Sequence, residues 1–267
     1  MPEPALLTQL DGHVLTLTIN RPEKKNAVDA EVLCGLRDAW HRLDRDDALR
    51  VAILTGAGGC FCAGMDLSVI GKLMSRKADD EHEQRLLDDT SIIFEGWLKT
   101  FRPRKPVIAA VEGFALAGGT EILQGTDLRV AAESAVFGVT EVQRGLFPMA
   151  GSAVRLQRQI PYAVAAEMLL TGEPIDARRA AALGLVGRVV PDGEALSDAR
   201  RLAGRIAANG PLAVRAILAT LRETTGLPEA EAFDIEMRHA GAVMASEDAR
   251  EGPRAFLEKR APVFRGR

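Results

Sequence analysis

A mixed α/β body followed by a helical C-terminal segment is the fold class this 267-residue chain predicts. Two observations carry it. A unit of apolar strand, glycine turn and helix returns after about 60 residues, as expected of stacked supersecondary units rather than of one dinucleotide-binding sheet. From Glu194 onward the apolar residues keep helical spacing, with no further strand pattern. A hydrophobic content of 47% is enough for a sizeable core.

The elements follow in order. Val14 to Ile19 alternates apolar residues with threonine and runs into Asn20-Arg21-Pro22, a strand ending in a loop. Asp29 is placed to cap a helix whose buried face is Val32, Leu33, Leu36, Ala39, Trp40 and Leu43. Val51 to Leu54 is a short strand entering the glycine cluster at 56–59. Ser68 to Thr90 is polar, with Asp79-Asp80-Glu81-His82-Glu83 at its middle, and reads as an exposed loop entering a helix that Ile92 to Leu98 completes. Val107 to Val111 is a strand that leads through Gly113 and Gly118-Gly119 to a helix beginning near Thr120. After Val130 and Val136-Phe137, the stretches Ser152 to Ile160, Val164 to Leu170 and Asp176 to Leu183 are helical, and Val186 to Val190 is a last short strand. The C-terminal helices are separated by turns at Asn209-Gly210-Pro211, Gly226-Leu227-Pro228 and Gly252-Pro253.

Composition excludes several roles. A net charge of −3 gives no electrostatic footprint for nucleic acid. Cys34, Cys60 and Cys62 fit neither a disulfide framework nor a zinc spacing and read as reduced, partly buried thiols. The residues from Met1 to Gly12 lack a basic segment followed by an apolar core, and no apolar run reaches the ~18 residues of a membrane span, so a cytoplasmic protein without membrane contact is expected. Neither glycine cluster has dinucleotide or P-loop spacing. His13, His41, His82 and His239 are scattered without metal-ligand spacing, and Ala150 stands where a nucleophile elbow at Ser152 requires glycine.

Three segments bear chemistry. In Gly113 to Glu121 small residues stand where a strand hands over to a helix, whose first N–H groups are free to meet an oxyanion; packing and dipole compensation by Glu121 are the plain alternative. Phe61-Cys62-Ala63-Gly64-Met65-Asp66-Leu67 repeats that situation, and alone it is a glycine turn capped by Asp66. Glu141, amid Val139 and Val142, is a carboxyl whose pKa burial would raise toward neutrality, or else a surface residue.

Together these segments resemble the enoyl-CoA hydratase/isomerase family, the crotonase superfamily. The match also takes in residues 20–27, 105–126, 136–156 and 181–186, with Asn209-Gly210-Pro211 and Lys259-Arg260 further on. The resemblance implies a crotonase-like spiral of ββα units over residues 1–193, and a helical C-terminal region, 194–267, that forms a homotrimer or a dimer of trimers. It implies an acyl-CoA thioester substrate with no cofactor beyond that coenzyme A. By motif position, the amides of Met65 and Gly118 form the oxyanion hole, and Glu121 and Glu141 are the catalytic carboxylates. Lys25, Ala27, Ala63, Asp66 and Leu67 are placed at the acyl-CoA, while Phe256 and Lys259 reach a neighbouring subunit's coenzyme.

Both glutamates together favour water addition to a trans-2-enoyl-CoA. A Δ3-Δ2 enoyl-CoA isomerase using Glu141 alone, or a catalytically silent acyl-CoA-binding protein, are the alternatives. Met149 and Thr140 stand where the resemblance leads one to expect glycine and proline, so the acyl wall is expected to be altered.

Overall fold

Two sheets wound into one another, with helices between and around them, make up the protein in a computed structural model that describes residues 3–267. The first half comprises β1 (Leu6–Asp11), β2 (Val14–Ile19), α1 (Ala30–Arg45), β3 (Val51–Gly56), α2 (Leu67–Ser75), α3 (Glu81–Asp88) and α4 (Ser91–Gly96). The middle comprises β4 (Val107–Val111), β5 (Phe114–Leu116), α5 (Gly118–Leu123), β6 (Leu128–Ala132), β7 (Val136–Gly138), α6 (Ser152–Gln159), α7 (Tyr162–Thr171), β8 (Ile175–Asp176), α8 (Ala177–Ala182) and β9 (Arg188–Val190). Four helices close the chain: α9 (Ala195–Ala207), α10 (Pro211–Glu223), α11 (Glu229–Met244) and α12 (Glu247–Leu257).

The larger sheet runs β1-β2-β3-β4-β6-β9 and the smaller β5-β7-β8. Successive units place one strand in each sheet: β4 pairs parallel with β6, Ile108 opposite Leu128, while β5 pairs parallel with β7, Phe114 opposite Val136. One turn of this spiral therefore advances 20 residues in one sheet and 22 in the other (128 − 108 and 136 − 114). This is the crotonase-like spiral of ββα units. The central strands β3 and β4 of the larger sheet are buried on both faces. Ala52 and Leu54 of β3 face the main core with Trp40 and Phe61, whereas Val51 and Ile53 face α9. On α9 Ala195, Ala199, Ala203 and Ala207 recur every fourth residue, so a stripe of methyl groups lets that helix lie close to the sheet.

The predicted strand Val14–Ile19 and the helix capped by Asp29 are present, with Asp29 Oδ1 accepting from Val32 N at 3.0 Å. Two expectations fail. The segment 68–90 is not a loop entering one helix but carries the two helices α2 and α3, with α4 following as a separate helix. Its charge run starts α3, because Asp80 accepts from Glu83 N and the Glu83 carboxylate returns to Asp79 N. The turn expected at Gly252-Pro253 lies inside α12. The missing Pro253 donor is offset by the C-terminal tail, whose Val263, Arg265 and Gly266 amides donate to Glu251 and Asp248 of that helix. Strands β1, β5 and β8 were not signalled by the sequence pattern.

Candidate active site

A cavity of about 790 Å³ opens where the C-terminal ends of β3 and β5 meet α2, α4 and the segment between β7 and α6. Glu121 and Glu141 both line it, with Met65 and Gly118. Lys25, Ala27, Ala63, Asp66 and Leu67 also line it. Phe256 and Lys259 do not; Phe256 is 83% exposed at the end of α12, and Lys259 follows it on the surface. None of the four histidines lines the cavity.

The segment expected to supply the oxyanion donors is built from tight backbone contacts. Gly64 N donates to the Cys62 sulfur at 3.2 Å, Asp66 N to Val28 O and Ala117 N to Gly138 O. Met65 N and Gly118 N, lying between these satisfied neighbours, have no acceptor among the described residues. They are brought together because Gly64, at φ +101, packs against the second loop: a Cβ there would stand 3.1 Å from Gly118 N. Ala117 takes φ 50, ψ −125, a costly conformation for a residue with a Cβ, and so turns the next amide out of the strand toward the cavity. Trp97, 2% exposed, lies against Gly118, whose added Cβ would meet its ring at 2.7 Å. Asp66 meets the cavity while its carboxylate is committed to capping α2 at Ser68 N and to Arg21.

The two glutamates have different surroundings. Glu121, 3% exposed in the first turn of α5, accepts from Ala150 N at 3.1 Å and Ser152 N at 2.9 Å. The charge on Glu121 is thus met by the amides at the start of α6. Glu121 also stands in the first turn of α5, as the plain reading has it, so the α6 amides add to the dipole of its own helix. Glu141 begins a short 3-10 turn after β7, and its Oε2 is shut off from solvent with no partner among the described residues. Burial first, and the Glu121 charge second, push its carboxyl up to about 7. A carboxyl held by two amide donors beside one whose pKa burial raises to about 7 is an arrangement that can take a proton at one point and give one at another.

The acyl side of the cavity is apolar. Ile70, Leu73 and Met74 of α2 form one wall, so the polar stretch after Ser68 does shape the pocket. Thr140 and Met149, the two departures from the expected pattern, both line it, with Phe147 70% exposed at the rim. Sequence reasoning missed Trp97 and the Ala150 and Ser152 amides. Gly151-Ser152 at a helix start was the available signal for the amides. Cys62 was read as an inert thiol, and it is buried and reduced, but its sulfur also holds the Gly64 amide. Among the described residues there is no group of three or more metal-ligating side chains, and no helix is long and apolar enough to cross a membrane.

The comparisons with known proteins show the family and the fold. The family described as Enoyl-CoA hydratase/isomerase has a model that matches residues 9–267. Among curated proteins, enoyl-CoA hydratase EchA19 of Mycobacterium tuberculosis is 52% identical over 264 residues, 99% of this chain and 97% of that protein. Carnitinyl-CoA dehydratase of Salmonella typhi is 39% identical over 262 residues, covering 96% and 97%. Among solved structures, an enoyl-CoA hydratase of Mycobacterium tuberculosis superposes with a TM-score of 0.87 at 46% identity, covering 99% of this chain and all of that one.

Proposed function

This chain belongs to the enoyl-CoA hydratase/isomerase family, and from that premise we propose that it is an enoyl-CoA hydratase, adding water reversibly to a trans-2-enoyl-CoA to give a 3-hydroxyacyl-CoA. The observation that carries the reading is the convergence of Glu121 and Glu141 with the free amides of Met65 and Gly118 on one cavity. As the water oxygen bonds to Cβ, the electron pair of the alkene moves through Cα onto the thioester oxygen. Two preorganised amides facing that oxygen each lower the barrier by ~3 kcal/mol. Glu121, ionised on its two donors, orients the water and takes its proton. Glu141, protonated, delivers a proton to Cα as the enolate collapses. The pair holds one proton before and after the reaction and two while the enolate exists, and the return of a proton from Glu121 to Glu141 resets the site. Proton transfer and amide donors account for every step, so the coenzyme A of the substrate is the only cofactor invoked.

Lys25, Ala27, Ala63 and Leu67 are assigned to the acyl-CoA, Asp66 to the backbone that lines it. The helices α10 to α12 serve oligomerisation as a homotrimer or a dimer of trimers. Exposed Ile217 and Leu221 on α10 and Phe233 and Met237 on α11 support this, because so much apolar surface favours a second copy over water. Phe256 and Lys259 then face a neighbouring subunit's coenzyme. Free thiols at Cys34, Cys60 and Cys62 favour a cytoplasmic location.

The test is loss of enoyl absorbance with crotonyl-CoA and with longer and bulkier enoyl-CoAs. Glu121→Gln and Glu141→Gln are each expected to lower turnover by at least ~100-fold. Wild-type rates in either variant remove that glutamate from the mechanism. Conversion of a 3-enoyl thioester by Glu121→Gln at the wild-type rate, with no hydration by either protein, selects the isomerase instead.

A further inference from the structure

Helix α6 starts on the amides that hold Glu121, and one turn further on it carries Arg155. This guanidinium is half-buried and lies outside the cavity lining. Its Nη2 donates to Leu98 O at 2.8 Å and Lys99 O at 3.0 Å, while Nη1 is shut off from solvent with no acceptor among the described residues. The absence of a side chain at Gly125 leaves room for it, since a Cβ there would meet Nη1 at 3.2 Å.

The segment gripped in this way matters to the site. Leu98 follows Trp97, the ring on which Gly118 rests, and Lys99 Nζ donates to Met149 O, next to the Ala150 amide that holds Glu121. Two cations thus stitch the support of one oxyanion donor to the cradle of one carboxylate.

A half-buried cation with an unmade hydrogen bond is unfavourable unless a negative charge lies near. For Arg155 that charge is Glu121; Arg222 from α10 opposes it, and Arg102 and Arg129 lie beyond, with Asp127 between them engaged by Arg102 and Arg222. Burial pulls the Arg155 pKa down and the attraction of Glu121 works against that. Facing the carboxylate pair are Arg155 on the Glu121 side and Arg144, on its own 3-10 turn, on the Glu141 side.

We propose that Arg155 is a positioning residue for hydration: it keeps the negative charge of the pair on Glu121 and the proton on Glu141, and it ties the Trp97 segment to the start of α6. This rests on the roles proposed above for the two glutamates. Two interacting carboxyls titrate as a pair, so the proton's location sets the limits of the active pH range.

The test is the pH profile of kcat/KM for Arg155→Gln and Arg155→Lys, using the enoyl-CoA that the wild type hydrates fastest. In Arg155→Gln the acidic limb is expected to move up by about 1 pH unit, with kcat at pH 6 falling about tenfold or more and KM changing less than about threefold. Arg155→Lys, which keeps the charge, is expected to retain the wild-type limb and to lose less than about tenfold in kcat. Unmoved limbs in both variants, or equal losses in both at every pH, overturn the proposal. Should the Gln variant fail to fold, Arg155→Met, which also removes the charge, takes its place: an acidic limb moved up relative to Arg155→Lys upholds the proposal, and an unmoved one overturns it. Glu121→Gln measured alongside separates the two readings. If it is active the hydratase assignment of Glu121 fails, and if it is inactive while both Arg155 profiles stay put, only the role of Arg155 fails.

Discussion

Replacing Gly64 by alanine probes the oxyanion segment without touching either glutamate. The new methyl would stand 2.9 Å from Ala117 Cβ, 3.1 Å from Gly118 N and 3.2 Å from Leu116 O, all tighter than ordinary contact. The backbone at φ +101 adds its own penalty, since a side chain rarely adopts that conformation. Strain of about 1–3 kcal/mol and overpacking of about 1–3 kcal/mol together predict a loss of about 2–6 kcal/mol in unfolding free energy. Relief comes by pushing the 116–118 loop away, which moves the Gly118 amide off the thioester oxygen. Loss of one such donor is worth about 100- to 1000-fold in kcat. Urea unfolding and the enoyl absorbance assay measure the two effects separately. Adding Ala117→Gly removes one of the three contacts and the strained φ of 50, so the double variant should recover about 1 kcal/mol and part of the rate. A Gly64→Ala enzyme with an unmoved unfolding midpoint and kcat within about twofold of wild type would refute the reasoning.

Two further outcomes follow from charge. Glu141, raised to about 7 from 4.5, supplies stability that is present below the unfolded value and lost as pH rises through about 7. Glu141→Gln should therefore be more stable than wild type at pH 8, by on the order of 2 kcal/mol after allowing for solvent screening, and equal to it at pH 4. For the same reason wild-type turnover should decline above about pH 7, where Glu141 loses its proton; parallel pH dependence in melting and rate would check both. Asp127 accepts from Arg102 and Arg222 as well as Val107 N, so Asp127→Ala leaves two cations without their carboxylate. A loss of about 3–5 kcal/mol is expected by urea unfolding, and a change below about 1 kcal/mol would show the arginines to be satisfied by carbonyls alone.

Residues whose role is set by their own chain neighbours were legible in the sequence. Val14–Ile19 alternates because one strand face meets α1 and the other meets α9, and Asp29 signals its helix because a cap is made within three residues. The pattern was blind to β5 and β8, three and two residues long, which exist only because β7 lies between them. It misread 68–90 because a cluster of acids looks like a solvated loop until the backbone donors that the acids cap are counted. It missed Trp97 and Arg155 because their partners, Gly118 and the Leu98 and Lys99 carbonyls, are meaningful only in three dimensions.

The spacing of the two glutamates ties the sequence to the site. Glu121 and Glu141 are 20 residues apart, and Ile108 and Leu128, paired across β4 and β6, are 20 apart as well. The glutamates themselves follow β5 and β7, which advance 22 residues per turn, with Glu121 in the helix after β5 and Glu141 in the turn after β7, so the two carboxyls reach one cavity from successive turns of the spiral without sharing a register. What distinguishes them is what comes next. After β5 the chain enters a buried helix, and Glu121 is met by amides of α6; after β7 it makes a 3-10 turn, and Glu141 is left without donors. A repeated fold thus supplies two like acids at one cavity, and the unlike segments that follow them give the two different surroundings, on which the proposed division into base and acid rests.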